Sequence, residues 1–471
     1  MLNKKINLDF YFKIICILNL VNFVFTMEHL RFYFVTYNVA TKHPEQDLRP
    51  MFNLSTHPKN DSDLPDFYIV ALQEVKAQPT SLLLDAIFDD HWTNGIRSIL
   101  TSRDYVKAKS IRLQGITLTL FTLRKHLLHL RDIETTYTRT GLNGIWGNKG
   151  AVSIRLNIYG CSICIVNSHL AAHDHLLQDR IDDYNSIVKQ QEYHIRETST
   201  IFFHDYVFWL GDLNFRLSND GTLSAQEIEL LIKKGQYKQL LEKDQLKLVM
   251  ESGDAFSELS ENLPNFPPTF KFETGTSTYD LKRRPSWCDR ILYRVNKDNY
   301  ENVTLFLEQL SYKSHDQYVI SDHKPVTSEF KVKVFKDYIE RLVEFLPIPI
   351  WYLDEVNSAT VKLGLDVEAT SSDWIGIFKD GFSSLDDYLG YVYVLKGSSP
   401  VAPPRRAHNS QIRTTYSVQF PESIVRSAGM YRLVYFSQTP HNVVSVLGMS
   451  EAFHIQQREG SDRNHERTGT Y

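Results

Sequence analysis

The chain has 471 residues, a length that points to two domains rather than one core. Hydrophobic residues make up 42% and charged residues 23%, the composition of a soluble globular protein. The net charge of −4 argues against a general nucleic-acid binder, which is usually basic, but leaves room for a local cationic site.

Residues 10–25 are strongly apolar after Lys4-Lys5 and are interrupted by Lys13 and Asn19. The stretch is short for a transmembrane helix, and no small-residue cleavage site follows it as a signal peptide would require. Residues 1–26 therefore read as an upstream extension of the gene or as a weak anchor. From Leu30 onward, strand-like and helical runs alternate. Residues 31–37, 67–72, 115–123, 151–156 and 161–167 have strand character. Residues 80–88, 96–100, 173–196 and 224–241 have helical character, the last opened by a Ser224/Glu227 capping box. This interleaving predicts an α/β fold, a two-sheet α/β sandwich with its site on loops at one edge.

Four cysteines, Cys16, Cys161, Cys164 and Cys288, are too few and too scattered for a disulfide framework. Cys161 and Cys164 form C-x-x-C without a second pair to complete a zinc site. They lie in a strand-like run and read as buried core thiols in a reducing compartment.

Residues 335–344 read as a charged helical stretch, followed by the extended Phe345-Leu346-Pro347-Ile348-Pro349. Residues 350–456 change character. Strand-like runs at 361–367, 374–378, 391–395, 417–420, 430–436, 443–447 and 452–455 predict an all-β, immunoglobulin-like sandwich. The expected division is a catalytic domain at 27–333, a linker at 334–349, the β-sandwich at 350–456 and a disordered polar tail at 457–471.

The most informative segment is Trp209-Leu210-Gly211-Asp212-Leu213-Asn214-Phe215-Arg216, an apolar strand entering a Gly-Asp-x-Asn turn. Residues two apart on a strand share a face, so Asp212 and Asn214 can address one small anion, with Arg216 behind them. A carboxylate can take a proton from water and an amide can donate to a phosphate oxygen, which suits a phosphate-ester hydrolase. Arg283-Arg284-Pro285-Ser286-Trp287-Cys288-Asp289-Arg290-Ile291-Leu292 places a second acid at a strand start. Ser321-Asp322-His323-Lys324 lies between two strand-like runs, and Asn38, Glu74 and His169 each close an apolar run upstream.

The segment at 208–216 and Pro285–Leu292 resemble the W-x-G-D-x-N-x-R and P-x-W-C-D-R-x-L signatures of the inositol polyphosphate 5-phosphatases. The other fragments resemble, in order, the site motifs of the wider endonuclease/exonuclease/phosphatase superfamily. The similarity covers about residues 28–333. Trp374-Ile375-Gly376-Ile377-Phe378 and Tyr431-Arg432-Leu433-Val434-Tyr435-Phe436 resemble the SKICH domain that follows the phosphatase in some members.

The resemblance implies a role for each position. Asp212 is the expected general base, Asn214 a holder of water or phosphoryl oxygen, and His169 and His323 contacts to the scissile phosphate. Asp289 is the expected partner of His323, fixing its tautomer and favouring the imidazolium. Glu74 is the expected ligand of a Mg²⁺ ion, a hard cation that prefers oxygen, with Asn38 orienting metal or phosphate and Asp322 supporting metal or water. Lys149, Lys271, Lys282, Arg283 and Arg290 form the expected cationic substrate-binding set, with Lys271 and Arg283 gripping the phosphate next to the scissile one. Phe270 stands where the family usually carries tyrosine, which removes a hydroxyl donor, and the loop at 273–280 is short for the family. Leu127, Leu128 and Leu130 read equally as a lipid-dipping rim or as core.

The implied function is Mg²⁺-dependent hydrolysis of the 5-phosphate of phosphoinositides such as PI(4,5)P2 and PI(3,4,5)P3, or of soluble inositol polyphosphates. The expected setting is a cytoplasmic monomer held peripherally at a membrane, the endoplasmic reticulum or plasma membrane, with a partner for the SKICH domain and no nucleic acid. A nuclease or sphingomyelinase on the same scaffold, and an inactive SKICH-led scaffold, are the alternatives. The acidic net charge and the Trp-Cys-containing motif count against the first, and the intact site motifs against the second.

Overall fold

The structure, a computed structural model, describes residues 27–76, 90–144, 146–218, 221, 223–336, 342–364, 367–396, 398–400 and 414–458. The chain separates into two compact units, residues 1–338 and 339–471. The helix expected at 80–88, the apolar segment at 1–26 and nearly all of the tail expected at 457–471 lie outside the described residues.

Among the described residues the first unit has eleven strands: β1 (Met27–Asn38), β2 (Phe67–Gln73), β3 (Tyr105–Leu113), β4 (Ile116–Leu123), β5 (Leu130–Thr140), β6 (Trp146–Ile158), β7 (Cys161–His169), β8 (Tyr206–Asp212), β9 (Asp289–Val295), β10 (Leu307–Ser314) and β11 (Val326–Phe335). One sheet has the order β10-β11-β1-β2-β4-β3; the other runs β5-β6-β7-β8-β9. Each contains one parallel pair, β1 with β2 and β7 with β8.

Strand alternation divides the apolar residues between layers. Phe32 and Phe34 of β1 face inward and meet Phe208 of the other sheet, with ring centroids 4.4 Å apart for Phe34 and Phe208. Tyr33, Val35 and Tyr37 point outward into a cluster with Trp92 and Ile96 of helix α1 (His91–Thr101). On the outer face of the second sheet, Trp209 packs with Tyr184 of α2 (Leu177–Gln190) and with Phe256. Both strand faces are thus buried, which explains the near-continuous apolar runs. A polar clasp also joins the sheets: buried Gln73 Nε2 donates to Asn167 Oδ1 at 2.7 Å, and Asn167 Nδ2 donates to Thr117 O at 2.7 Å.

Several boundaries differ from expectation. The helix expected at 173–196 begins only at Leu177, because His173 adopts φ +76° in the preceding loop. The helix expected at 224–241 is two helices, α3 (Ala225–Lys233) and α4 (Tyr237–Leu241), interrupted at Gly235 with φ +66°. The Ser224/Glu227 capping box is present. A further helix, α5 (Gln245–Ser252), is capped by Asp244. Leu127 and Leu130 are buried, so the lipid-dipping rim is not formed; they anchor the turn between β4 and β5 in the core. Cys161 and Cys164 are fully buried free thiols.

The second unit contains β12 (Val343–Phe345), β13 (Trp351–Tyr352), β14 (Asn357–Leu363), β15 (Trp374–Lys379), β16 (Gly390–Tyr393), β17 (Ser398–Pro400), β18 (Thr415–Phe420), β19 (Gly429–Gln438), β20 (Val444–Met449) and β21 (Phe453–Gln456). Strands β12-β14-β18-β17 form one layer, while β19 is flanked by β15, β20 and β21 in the other. Val361, Val418 and Phe420 meet Ile375, Leu433 and Tyr435 between the layers. Val343 and Glu344, expected to be helical, instead belong to β12 and pair with β14.

Candidate active site

The carboxyl ends of the two parallel pairs converge, the place where open α/β sheets usually carry ligands. In the first sheet, Asn38 ends β1 opposite Gln73, and Glu74 follows with φ +55°. In the second, His169 ends β7 opposite Asp212 at the end of β8, and Asp212 in turn faces Asp289 at the start of β9. Register alone therefore sets His169, Asp212 and Asp289 side by side. Gly211 is required here: it has φ +142°, and a Cβ would lie 1.9 Å from Ser168 O.

Side chains bridge the two sheets. Asn38 Nδ2 donates to Asp212 Oδ2 at 2.9 Å and to Glu74 Oε1 at 3.2 Å. His169 Nε2 lies 3.3 Å from Asp212 Oδ2 and 3.9 Å from Glu74 Oε1. Lys149 Nζ sits against the same His169 nitrogen. His323 Nδ1 contacts Asp289 Oδ2 at 2.9 Å, and its Nε2 is 3.8 Å from Asp212 Oδ2. Thr269 Oγ1 also donates to Asp289 Oδ2, at 2.7 Å, and Ser321 Oγ, bonded to Asn38 O, caps the His323 amide.

These contacts set the charges. Burial alone would lower His323, but the carboxylates of Asp289 and Asp212 outweigh it and push the imidazole up to about 9. For Asp212 the order is the same with the sign reversed: burial raises the carboxyl, while His323, His169 and Lys149 hold it far below the usual carboxylate range. His169 lies below its ordinary value through burial and the adjacent Lys149. At neutral pH the site thus presents an imidazolium at His323, a carboxylate at Asp212 and a neutral imidazole at His169.

The cleft in front of these groups has a volume of about 250 Å³ and is lined by Glu74, Lys149, His169, Asp212, Asn214, Lys271, Arg283, Asp322 and His323 among the predicted residues. Asn38 and Asp289 stand directly behind it. Lys271 Nζ pairs with Asp322 at 3.1 Å, and both line the cleft. Arg283 is exposed at the rim. Lys282 is exposed as well but does not line the cleft.

Arg290 is a correction. It is fully buried, with Nη1 on Asp244 at 2.9 Å and Nε on Glu261 at 2.8 Å, so it cannot bind substrate. The cause is strand alternation: Asp289 faces the site and its neighbour Arg290 faces away. Cys288 is buried too, and burial raises its thiol well above the ordinary value, which leaves no thiolate nucleophile.

Among the cleft residues outside the predicted set, Arg216 and His173 are the basic ones. Arg216 donates from Nη2 to Asn214 Oδ1 at 2.6 Å and lies over the Phe270 ring at 4.4 Å; β8 ends at Asp212, and the available signal was the place of Arg216 behind Asp212 and Asn214 in the motif. Phe270 in turn packs on His323, ring centroids 4.5 Å apart. His173 also lines the cleft, and nothing in its sequence context marked it.

The site can accept a hard divalent cation. One ligand atom from each of Asp212, Asp289 and His323 lies within 4.8 Å of the others, and buried Asp289 Oδ1 has no hydrogen-bond partner. Since His323 is protonated and engaged with Asp289, oxygen donors are the better fit, and the Glu74 carboxylate, 42% exposed, faces the cleft.

Comparison with known proteins agrees with this geometry. Residues 35–329 match the model of the endonuclease/exonuclease/phosphatase family 2, and residues 343–455 match the SKICH domain. The chain is 35% identical over 433 residues to phosphatidylinositol 4,5-bisphosphate 5-phosphatase A of Homo sapiens, covering 89% of this chain but 41% of that protein, so it spans about two fifths of that relative's length. It is 34% identical over 434 residues to inositol polyphosphate 5-phosphatase K of Mus musculus, covering 89% of this chain and 88% of the relative. The inositol polyphosphate 5-phosphatase domain of SPsynaptojanin, solved with inositol (1,4)-bisphosphate and calcium ion, superposes with a TM-score of 0.55 at 30% identity, over 66% of this chain and 86% of that one. The chain belongs to the inositol polyphosphate 5-phosphatases, with an endonuclease/exonuclease/phosphatase-type domain followed by a SKICH domain.

Proposed function

We propose that the protein hydrolyses the 5-phosphate of phosphoinositides, PI(4,5)P2 and PI(3,4,5)P3 foremost, in a Mg²⁺-dependent reaction. The observation that carries this reading is the meeting of Asn38, Glu74, His169, Asp212 and His323 in one cleft, beside Lys271 and Arg283. Water is the nucleophile and inorganic phosphate the product. Asp212 accepts a proton from the attacking water as the new P–O bond forms and the bond to the inositol oxygen breaks; the departing oxygen takes a proton from solvent water to give the ring hydroxyl, and Asp212 returns its proton to solvent. Its low basicity favours orienting the water early and taking the proton late. His323, held as an imidazolium, places positive charge against the phosphoryl oxygens, where it does most as charge shifts in the transition state. Asn214 and His169 position the same group.

Glu74 and Asn38 would hold Mg²⁺, which when bound neutralises phosphoryl oxygen charge. Asp322 belongs with Lys271 on the substrate side rather than with the metal. Lys271, Arg283 and Lys149 bind the non-reacting phosphates, and Phe270 provides a ring face to Arg216 instead of the hydroxyl a tyrosine would offer. The SKICH domain serves a membrane or protein partner and keeps the enzyme peripheral to a cytoplasmic membrane face. No helix among the described residues is long and apolar enough to cross a membrane. The test is product identity: PI(4,5)P2 incubated with Mg²⁺ should yield PI(4)P and inorganic phosphate, and EDTA should stop the reaction. Loss of the 4-phosphate, or hydrolysis of DNA and not lipid, contradicts the reading.

A further inference from the structure

Asn214 lines the cleft with its backbone in the left-handed region, φ +56°, and its side chain is gripped at both ends. Arg216 Nη2 donates to Asn214 Oδ1 at 2.6 Å, and Asn214 Nδ2 donates to Leu170 O at 3.1 Å. A guanidinium only donates and a carbonyl only accepts, so these two neighbours admit one orientation of the amide. That orientation keeps a donor at the cleft, because Nδ2 has a second hydrogen and bonds no other acceptor among the described residues. Turned over, the amide would set a carbonyl oxygen against the phosphoryl oxygens, acceptor against acceptor.

The two grips are tied together behind the cleft. Gln245, the first residue of α5, is 6% exposed and is not among the cleft-lining residues. Its Oε1 accepts two donors at once, the Arg216 amide at 2.9 Å and Arg180 Nη2 at 2.8 Å. The Gln245 amide in turn donates to Arg216 O at 2.9 Å, so the backbone of Arg216 is held on both sides. Arg180, fully buried on α2, donates from Nη1 to Ala171 O at 3.1 Å and to His173 O at 2.7 Å. Asp183 Oδ2 accepts the Ala171 amide at 2.8 Å, which fixes the segment that carries Leu170 O.

These bonds close a ring that runs from Asn214 through Arg216, Gln245, Arg180 and residues 170–173 back to Asn214. Both partners of Gln245 Oε1 are donors, so only an acceptor can stand there. Without one, two buried donors lose their partner, and the Asp212–Arg216 turn is no longer tied to the 170–173 segment.

Resting on the 5-phosphatase reading, we propose that Gln245 is a positioning residue: through Arg216 and Arg180 it holds the Asn214 amide with an N–H toward the phosphoryl group being transferred.

The test is a double-mutant cycle on phosphate release from short-chain PI(4,5)P2 with Mg²⁺, in the full chain. Gln245→Met keeps the length of the side chain and removes the acceptor. Alone it should lower kcat about tenfold, with KM changed less than about twofold, because Asn214 acts on the transferring group. In an Asn214→Ala background the same substitution should lower kcat less than about twofold, since the residue it acts through is gone. Gln245→Glu keeps an oxygen for both donors and should return kcat to within about threefold of the wild type. A role in stability alone would lower the urea midpoint and leave the kcat of the folded protein unaltered. An unaltered kcat in folded Gln245→Met, or an equal fall in both backgrounds, overturns the inference while the wild type still turns over PI(4,5)P2. If Gln245→Met does not fold, Arg180→Lys, whose single ammonium cannot span the three acceptors, takes its place in the cycle with the same expected and contrary results. A wild type inactive on the lipid defeats the 5-phosphatase reading, and the inference with it.

Discussion

Asn38 Nδ2 donates to Asp212 Oδ2 at 2.9 Å, joining the end of β1 in one sheet to the end of β8 in the other. This bond locks the two halves of the sandwich where the chemistry is proposed. It also leaves Asp212 Oδ1 to its own turn, accepting the Asn214 amide at 3.1 Å. Asn38→Asp would set two carboxylates about 3 Å apart, which cannot both ionise. We expect kcat to fall about 100-fold or more, with melting temperature little changed. Asn38→Ala, which removes the donor without adding charge, should cost less. The reverse ranking would show that charge at this position is not what matters.

Arg290 separates structure from chemistry. Its guanidinium is shared by Asp244 and Glu261, and Tyr312 Oη donates to the same Glu261 carboxylate at 2.7 Å. Arg290→Ala would strand two buried acids and should destabilise the fold by about 3–5 kcal/mol, read from urea unfolding. Below the transition, KM for PI(4,5)P2 should be that of the wild type. A selective rise in KM in a fully folded variant would return Arg290 to the substrate site.

Glu74 is the carboxylate placed to hold metal at the cleft. Glu74→Gln keeps the shape and removes the charge. The Mg²⁺ concentration for half-maximal activity should rise about tenfold or more, with partial rescue at high Mg²⁺. Unaltered metal dependence would move the metal to the Asp212, Asp289 and His323 cluster.

His315 gives a pH signature of stability. It is buried, its Nε2 lies 2.8 Å from Thr327 Oγ1, and burial, reinforced by Lys313, lowers it to about 4. The folded value lies below the unfolded value of about 6.5, so between them the unfolded chain binds the extra proton. The contribution to stability is therefore full above about pH 6.5 and declines as pH falls toward 4, to a loss of about 3 kcal/mol at most. His315→Asn should flatten the difference in urea midpoint between pH 7 and pH 4.5. An identical slope in both proteins would contradict this.

The site was more legible in the sequence than the scaffold around it. Asn38, Glu74, His169 and Asp212 each close an apolar run, and parallel register then sets them at one edge. Arg290 was misread because it adjoins Asp289 in a motif, although alternation along β9 sends the two to opposite faces. His173 was missed because its placement depends on Arg180, a contact between positions seven apart through a non-helical loop, which no short-range pattern encodes. Strands β3 and β5 were not anticipated; their burial alternates irregularly, and each carries a register shift against its partner. The break at Gly235 follows from one glycine that a helical period alone passes over.

The most direct measurement is phosphate release from short-chain PI(4,5)P2 with Mg²⁺ by the wild type and by Asp212→Asn, which keeps the shape of the side chain and removes its charge. kcat should fall by about 10³-fold or more in the variant with KM nearly unchanged, because Asp212 acts on the water and not on the substrate. Equal turnover by the two proteins would contradict the assignment of Asp212 as base and, with it, the mechanism.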